Sequence, residues 1–115
     1  MNYYKEQLLK KLSNDGWELL EVDDNTDWWL ESYWKVKSVK QNYGLAFYVL
    51  FLVDPMYVGQ NKGSAVWAVG AYEEIPSERP LEGSICVMSM VKGKFDEKLG
   101  EFVTCVNEYR NETHS

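Results

Sequence analysis

Histidine is almost absent from this sequence, which contains only His114, next to its last residue. A histidine in that position is expected to lie in a solvated tail rather than in a catalytic site. Without a second histidine, neither a Ser-His nor a Cys-His nucleophile pair has its base. We therefore expect a protein that is not an enzyme and that needs no cofactor.

Cysteine is almost as scarce, and the two that are present, Cys86 and Cys105, have no C-x-x-C spacing. A zinc site needs three or four converging ligands, which these two residues and His114 do not offer at the usual spacing. The first residues of the chain lack the charged and then apolar pattern of a signal peptide. We expect a cytoplasmic protein in which both cysteines are reduced thiols, buried as small hydrophobic side chains.

Long hydrophobic runs and an excess of basic residues are also missing. The longest apolar run, residues 45–53, is far shorter than the roughly 20 residues needed to cross a bilayer. Lysine and arginine number 12 against 18 acidic residues, and the net charge is −6. Because phosphate groups and anionic lipids repel such a chain, we expect neither nucleic acid nor a membrane as its partner. A basic protein partner is compatible with this charge.

The acidic residues are concentrated between residues 16 and 34, a segment without lysine or arginine. Its turn, residues 23–27, lacks the EF-hand pattern, so we expect no calcium site there. The glycine-containing segment 59–64 lacks the spacing of a phosphate-binding loop and precedes a predicted strand rather than a helix. Neither segment therefore predicts a metal or phosphate site.

Hydrophobic periodicity predicts an α+β fold, with one helix at each end of the chain and five strands between them. Short connections favour a five-stranded antiparallel meander, and the apolar stripes of the two helices predict that both pack on one face of the sheet. The 115 residues fit one domain, residues 1–110, followed by a frayed tail, residues 111–115. The predicted helices cover 3–13 and about 95–110, and the predicted strands cover 17–22, 27–40, 45–53, 65–72 and 84–91.

The predicted strand 27–40 carries aromatic residues on both of its faces. Alternation places Trp28, Leu30, Ser32, Trp34 and Val36 on one face, and Trp29, Glu31, Tyr33, Lys35 and Lys37 on the other. If the helices cover the first face, the second is open, and exposed aromatics beside a carboxylate are typical of a recognition surface. Self-association, or a cover provided by the loop 73–83, explains the second face equally well. The candidate binding surface is Asp23, Asp24, Asp27, Trp29, Glu31 and Tyr33.

Three functional hypotheses follow from this surface and from the other aromatic residues. The first is a non-enzymatic module that binds a protein, for which the net charge favours a basic one, by fold-level analogy with immunity proteins or secretion chaperones. The second is a small-molecule pocket between sheet and helices, lined by Tyr48, Trp67 and Tyr72. The third is a homodimer that uses the open sheet face or the edge of the second strand.

Two segments of the chain form distinctive motifs: D-W-W at 27–29, continued by Glu31 and Trp34, and F-L-V-D-P at 51–55. V-W-A-V at 66–69 and the closing segment 99–102, followed by Arg110, belong to the same pattern, and the similarity covers about residues 25–110. In these motifs the chain resembles a group of small bacterial proteins of unknown function. The resemblance implies a bacterial, cytoplasmic protein, and it carries no activity and no catalytic residues.

Overall fold

The computed structural model describes residues 3–24, 30–40, 43–53, 66–75, 84–89 and 93–112, and of Trp67 it describes the backbone only. The five strands form one antiparallel sheet in which each strand pairs with the next along the chain, which confirms the predicted α+β meander. The last helix continues through Asn111 and Glu112, two residues that the sequence placed in the tail. The elements are α1 (Tyr3–Asn14), β1 (Trp17–Asp23), β2 (Leu30–Ser38), β3 (Ala46–Val53), β4 (Val66–Tyr72), β5 (Cys86–Ser89) and α2 (Phe95–Glu112).

The turn from α1 into β1 depends on Gly16. Its φ of 86° lies in the left-handed region that favours glycine. A Cβ atom at Gly16 would also lie 2.5 Å from the side chain of Lys40. The Gly16 carbonyl accepts a hydrogen bond from the Val39 amide, so this turn is joined to the end of β2.

Both helices pack on the same face of the sheet, as predicted. Four large aromatic side chains form the centre of this core, and they meet edge to face in two pairs, Trp17 with Phe47 and Trp34 with Phe51, each with ring centroids 4.9 Å apart. The helices complete the core with buried aliphatic and aromatic side chains, namely Leu8 and Leu12 from α1 and Leu99, Phe102, Val103 and Val106 from α2.

The opposite face of the sheet is also buried over part of its area. Along β3, Leu50 and Leu52 alternate with Val49 and Phe51, and all four side chains are buried. Of these, only Val49 and Phe51 belong to the core under the helices. An unbroken apolar run such as that of β3 is typical of a central strand with both faces covered. The second cluster consists of Leu30, Leu50, Leu52, Ala68 and Tyr72, with Tyr33 and Tyr48 packed against it.

A β-bulge in β2 changes the predicted alternation of side chains. Leu30 pairs with Leu52 and Ser32 pairs with Phe51, so Glu31 is an extra residue on its strand. The predicted face of Leu30 is therefore wrong: this side chain packs with Leu50 and Leu52, on the face opposite the helices. Beyond the bulge the prediction is correct, because Trp34 and Val36 belong to the core under the helices.

The two cysteines are joined, which contradicts the prediction of reduced thiols. Cys86 in β5 and Cys105 in α2 form a disulfide, with their Cα atoms 6.1 Å apart. The residues are 19 positions apart in sequence, and they come together only because α2 packs beside β5. The physical reason for the error is that a pairing between a strand and a helix leaves no spacing motif in the sequence.

Candidate functional site

Residues from two different predicted sites meet on the sheet face opposite the helices. Asp23 and Tyr33 face each other across β1 and β2, and Tyr48 and Tyr72 face each other across β3 and β4. The rings of Tyr33 and Tyr48 make an edge contact, with centroids 6.0 Å apart. These four residues, Asp23, Tyr33, Tyr48 and Tyr72, are called the tyrosine face below.

The position of Tyr48 and Tyr72 differs from the pocket expected between sheet and helices. Their strand neighbours Val49 and Ala71 belong to the core under the helices, so the two tyrosines point to the other side. A groove of about 260 Å³ does lie between α1 and α2. Its lining is mostly charged or amide-bearing rather than aromatic, and it consists of Gln7, Lys10, Lys11, Asn14, Asp96 and Leu99.

Tyr33 and Asp23 form a hydrogen-bonded pair at one side of the tyrosine face. The Tyr33 hydroxyl donates to Asp23 Oδ2 at 3.1 Å. This hydrogen bond raises the pKa of Tyr33 above its ordinary value, because ionisation would remove the donated proton; desolvation and the nearby carboxylate charges act in the same direction. Both side chains are half-buried, so each keeps a surface that another molecule can contact.

Tyr72 occupies space that only a glycine neighbour leaves free. A Cβ atom at Gly70 would lie 2.6 Å from Tyr72 Cε1, so the tyrosine ring lies over the backbone of Gly70. Tyr72 is buried, and this burial raises the pKa of its hydroxyl. The part of the tyrosine face that a partner can reach is therefore formed by Asp23, Tyr33 and Tyr48.

The lysines of β2 lie toward tyrosine rings rather than toward the acidic strand beside them. Glu18 and Glu21 of β1 stand directly opposite Lys37 and Lys35. Lys35 Nζ lies 5.7 Å from the centre of the Tyr48 ring, and Lys37 Nζ lies 5.1 Å from that of Tyr43. Among the described residues, no ion pair joins these glutamates to the lysines.

Four of the seven residues of β1 are exposed. These residues, Glu18, Leu20, Glu21 and Val22, are called the β1 edge below. Glu18 and Glu21 were counted in the acidic segment of the sequence but not in the candidate surface. The signal that could have identified them is their position in a strand that contains three carboxylates and no basic residue.

Glu31 does not belong to the tyrosine face, which corrects the prediction for this residue. Its Oε2 lies 2.7 Å from Lys5 Nζ of α1, and the Ser32 hydroxyl donates to the same carboxylate at 2.6 Å. Lys5 Nζ also donates to Ser32 Oγ at 2.9 Å and lies 4.6 Å from the centre of the Phe51 ring, in the core under the helices. The bulge is the cause, because the two bulged residues of a strand direct their side chains to similar sides.

The Lys5, Glu31 and Ser32 cluster holds α1 against β2, and its geometry does not suit catalysis. A hydroxyl beside an amine resembles a nucleophile and its base. The Ser32 side chain, however, is fully buried, so a substrate cannot reach it. Over the part of the chain that the structure describes, no group of three or more His, Cys, Asp or Glu residues could hold a metal ion.

The remaining predicted site residues have different outcomes. Asp24 is exposed and directly follows β1, next to Asp23. Asp27 and Trp29 lie outside the described residues, as does the side chain of Trp67. The structure thus brings together Asp23, Tyr33, Tyr48 and Tyr72, and it separates Glu31 from them.

Comparison with known proteins leaves this site to be interpreted from its own geometry. No protein-family model matches the chain, and no curated protein or solved structure matches it significantly. The resemblance to small bacterial proteins stays a prediction. None of the described helices is both long and apolar enough to span a membrane.

Proposed function

We propose that this chain is a non-enzymatic module that recognises a basic partner protein through the tyrosine face and the adjoining β1 edge. The observation that carries the proposal is the hydrogen bond between Tyr33 and Asp23. It holds an aromatic ring and a carboxylate side by side on a half-exposed surface. Tyrosine is enriched at protein interfaces because its ring gives a large contact area and its hydroxyl a polar contact.

The charge of the neighbouring strand supports a basic partner. The β1 edge contributes Glu18 and Glu21 beside Asp23, and the lysines opposite them lie toward tyrosine rings instead. Carboxylates at the margin of an interface attract basic partners over a distance and raise the association rate. Association with the partner is therefore expected to be slowed by added salt, which screens such charges.

The experiment is site-specific photo-crosslinking in the source cells. A photoreactive phenylalanine derivative replaces Tyr48 on the tyrosine face or, as the matched control, Tyr3 on α1, which is 65 % exposed. We expect position 48 to crosslink the chain to one other protein, which gives a product that differs in mass from a dimer of the chain. Position 3 should give no such product. Equal products at both positions, or no product at position 48, would contradict the proposal.

A purified partner allows a quantitative test. Truncating a central interface tyrosine costs about 2 kcal/mol or more. By this measure Tyr33→Ala raises the Kd by about thirtyfold, whereas Tyr3→Ala leaves it unchanged. Both variants must keep the unfolding transition of the parent chain, which circular dichroism can verify. If Tyr33→Ala folds and binds as tightly as the parent, the tyrosine face is not the interface.

The two other hypotheses give different results in the same crosslinking experiment. A homodimer would give a product of twice the mass of the chain through position 48. A small-molecule site would give no protein product but would protect the tyrosine face when the ligand is bound. Either result replaces the protein-binding proposal.

The disulfide stands against the cytoplasmic location expected from the sequence, and the state of the two cysteines in the cell decides between them. Structural disulfides persist in oxidising compartments and are rare in the cytoplasm. Rapid acid quenching of source cells followed by alkylation reports whether Cys86 and Cys105 are joined in the cell. A fully oxidised pair, recovered outside the cytoplasmic fraction, would exclude the cytoplasmic location.

A further inference from the structure

β1 is an edge strand of the described sheet, because β2 is its one neighbour in the strand order. The outward backbone amides and carbonyls of an edge strand can pair with another chain. The other edge, β5, is only four residues long and is fastened to α2 by the Cys86–Cys105 disulfide. The seven-residue β1, with four exposed side chains, is the more open of the two edges.

The charge of β1 restricts which chain can pair with it. Glu18, Glu21 and Asp23 are its three charged residues, and all are acidic. A second copy of this chain would place three carboxylates against three carboxylates, and like charges on adjacent strands are destabilising. An extended segment rich in lysine or arginine would meet them with opposite charge instead.

The β1 edge also offers apolar contacts to such a segment. Leu20 is 43 % exposed, and Val22, which pairs with the core residue Trp34, is 50 % exposed, so both add accessible apolar surface to the strand. In strand addition, backbone hydrogen bonds supply affinity and alternate side chains supply specificity. A segment that alternates basic and apolar or β-branched residues would satisfy both features of this edge.

We propose that β1 binds an extended, lysine- or arginine-rich segment of the partner protein as a sixth strand. This inference rests on the proposed function, because it names the part of the partner that the β1 edge recognises. The register shift between Leu19 and Glu21 interrupts the edge, so hydrogen bonding is expected on either side of Leu20. A segment of about seven residues covers the strand, since each strand residue adds roughly 3.3 Å.

The test uses the intact chain and a capped seven-residue peptide of alternating lysine and threonine. Amide hydrogen exchange is measured with and without saturating peptide. We expect exchange to slow at least tenfold at outward-facing amides within Trp17–Asp23, and to be unchanged in β5, the internal control. A second peptide, N-methylated at alternate residues, keeps the charge but lacks half of the amide donors, and we expect it not to protect β1.

Charge variants provide the matched controls. The double variant Glu18→Lys, Glu21→Lys is expected to weaken peptide binding by about tenfold or more, because two attractions become repulsions. Glu108→Lys with Glu112→Lys makes the same change of charge at exposed positions of α2 and should leave binding nearly unchanged. Unfolding curves of both variants verify that each is folded.

Three outcomes would overturn strand addition. The N-methylated peptide could bind as tightly as the first peptide, which would reduce the contact to charge alone. Both peptides could leave the β1 amides unprotected while crosslinking through position 48 still captures a partner, in which case the proposed function stands without this inference. Protection of β1 without peptide, together with a dimeric mass by light scattering, would assign the edge to a second copy of the chain.

Discussion

At the scale of single residues, the ion pair between Lys5 and Glu31 is the interaction whose loss has the clearest expected cost. The Lys5 side chain is 10 % exposed and that of Glu31 is 17 % exposed, so water screens the pair only weakly. Substituting Lys5→Met keeps an apolar stem against Phe51 but leaves the carboxylate without its ammonium. We expect the free energy of unfolding in urea to fall by about 2 to 4 kcal/mol.

An exposed ion pair elsewhere in the chain provides the control. Lys98 and Glu101 lie one turn apart on α2, with their charged atoms 3.8 Å apart and both side chains at least a third exposed. Lys98→Met is expected to change the stability by less than about 0.5 kcal/mol. In the double variant Lys5→Met, Glu31→Gln, the cost should be less than the sum of the single costs; strict additivity would contradict the pairing.

At the scale of elements, β4 depends on the absence of a side chain at Gly70. A Cβ atom there would lie 2.6 Å from Tyr72 Cε1, and Tyr72 is buried, so its ring has little room to move. Gly70→Ala is therefore expected to lower the free energy of unfolding by about 1 to 3 kcal/mol. The same change at Gly100 of α2 meets no atom within 4 Å and is expected to raise stability by about 0.5 to 1 kcal/mol.

The double variant Gly70→Ala, Tyr72→Ala separates steric conflict from glycine propensity. If the conflict is the cause, the free energy of unfolding of the double variant should be nearly the same as that of Tyr72→Ala alone, because the ring that Gly70→Ala would meet is gone. An undiminished cost in that background would mean that the backbone, rather than the ring, requires glycine. Chemical denaturation measures all of these differences.

The elements also show how far the sequence could predict this fold. The antiparallel meander and the turn at Gly16 were predictable, because each follows from local alternation or from a local demand on φ. The apolar run of β3 likewise predicted a strand covered on both faces. The bulge at Glu31 was not predictable, because strand propensity does not show where one extra residue enters the pairing of β2 with β3. That one residue moved Glu31 from the candidate surface to the ion pair with Lys5.

The candidate site was also predictable only in part, because its local residues can be read from the sequence but their contacts across strands cannot. The sequence lists Asp23 and Tyr33 together among the candidate residues, yet nothing in it links them to Tyr48 and Tyr72. Those contacts depend on the register of four strands, in which Asp23 pairs with Tyr33 and Tyr48 pairs with Tyr72. Register is determined by the packing of both faces of the sheet, which is a property of the folded chain.

At the scale of the whole molecule, the Cys86–Cys105 disulfide closes a loop between the last strand and the last helix. The two cysteines are 19 positions apart, and cross-linking a loop of this length stabilises a fold by about 3 kcal/mol in the chain-entropy description. We expect reductant to lower the Tm of the parent chain and to leave the Tm of the Cys86→Ala, Cys105→Ala variant unchanged. The free energy of unfolding of the variant should match that of the reduced parent to within about 1 kcal/mol, the cost of repacking two small side chains.

The stability difference and the chemical state of the sulfurs are measured separately, so each can contradict the structure by itself. Protein purified without reductant and then unfolded should expose no thiol to an alkylating reagent, and full alkylation would mean that the cysteines are not joined. If they are joined but reductant leaves the Tm unchanged, the packing of α2 on β5 must be sufficient without the bond. Because Leu99, Phe102, Val103 and Val106 are buried in the same core as Cys86, the reduced chain is expected to keep its fold at a lower Tm rather than to unfold.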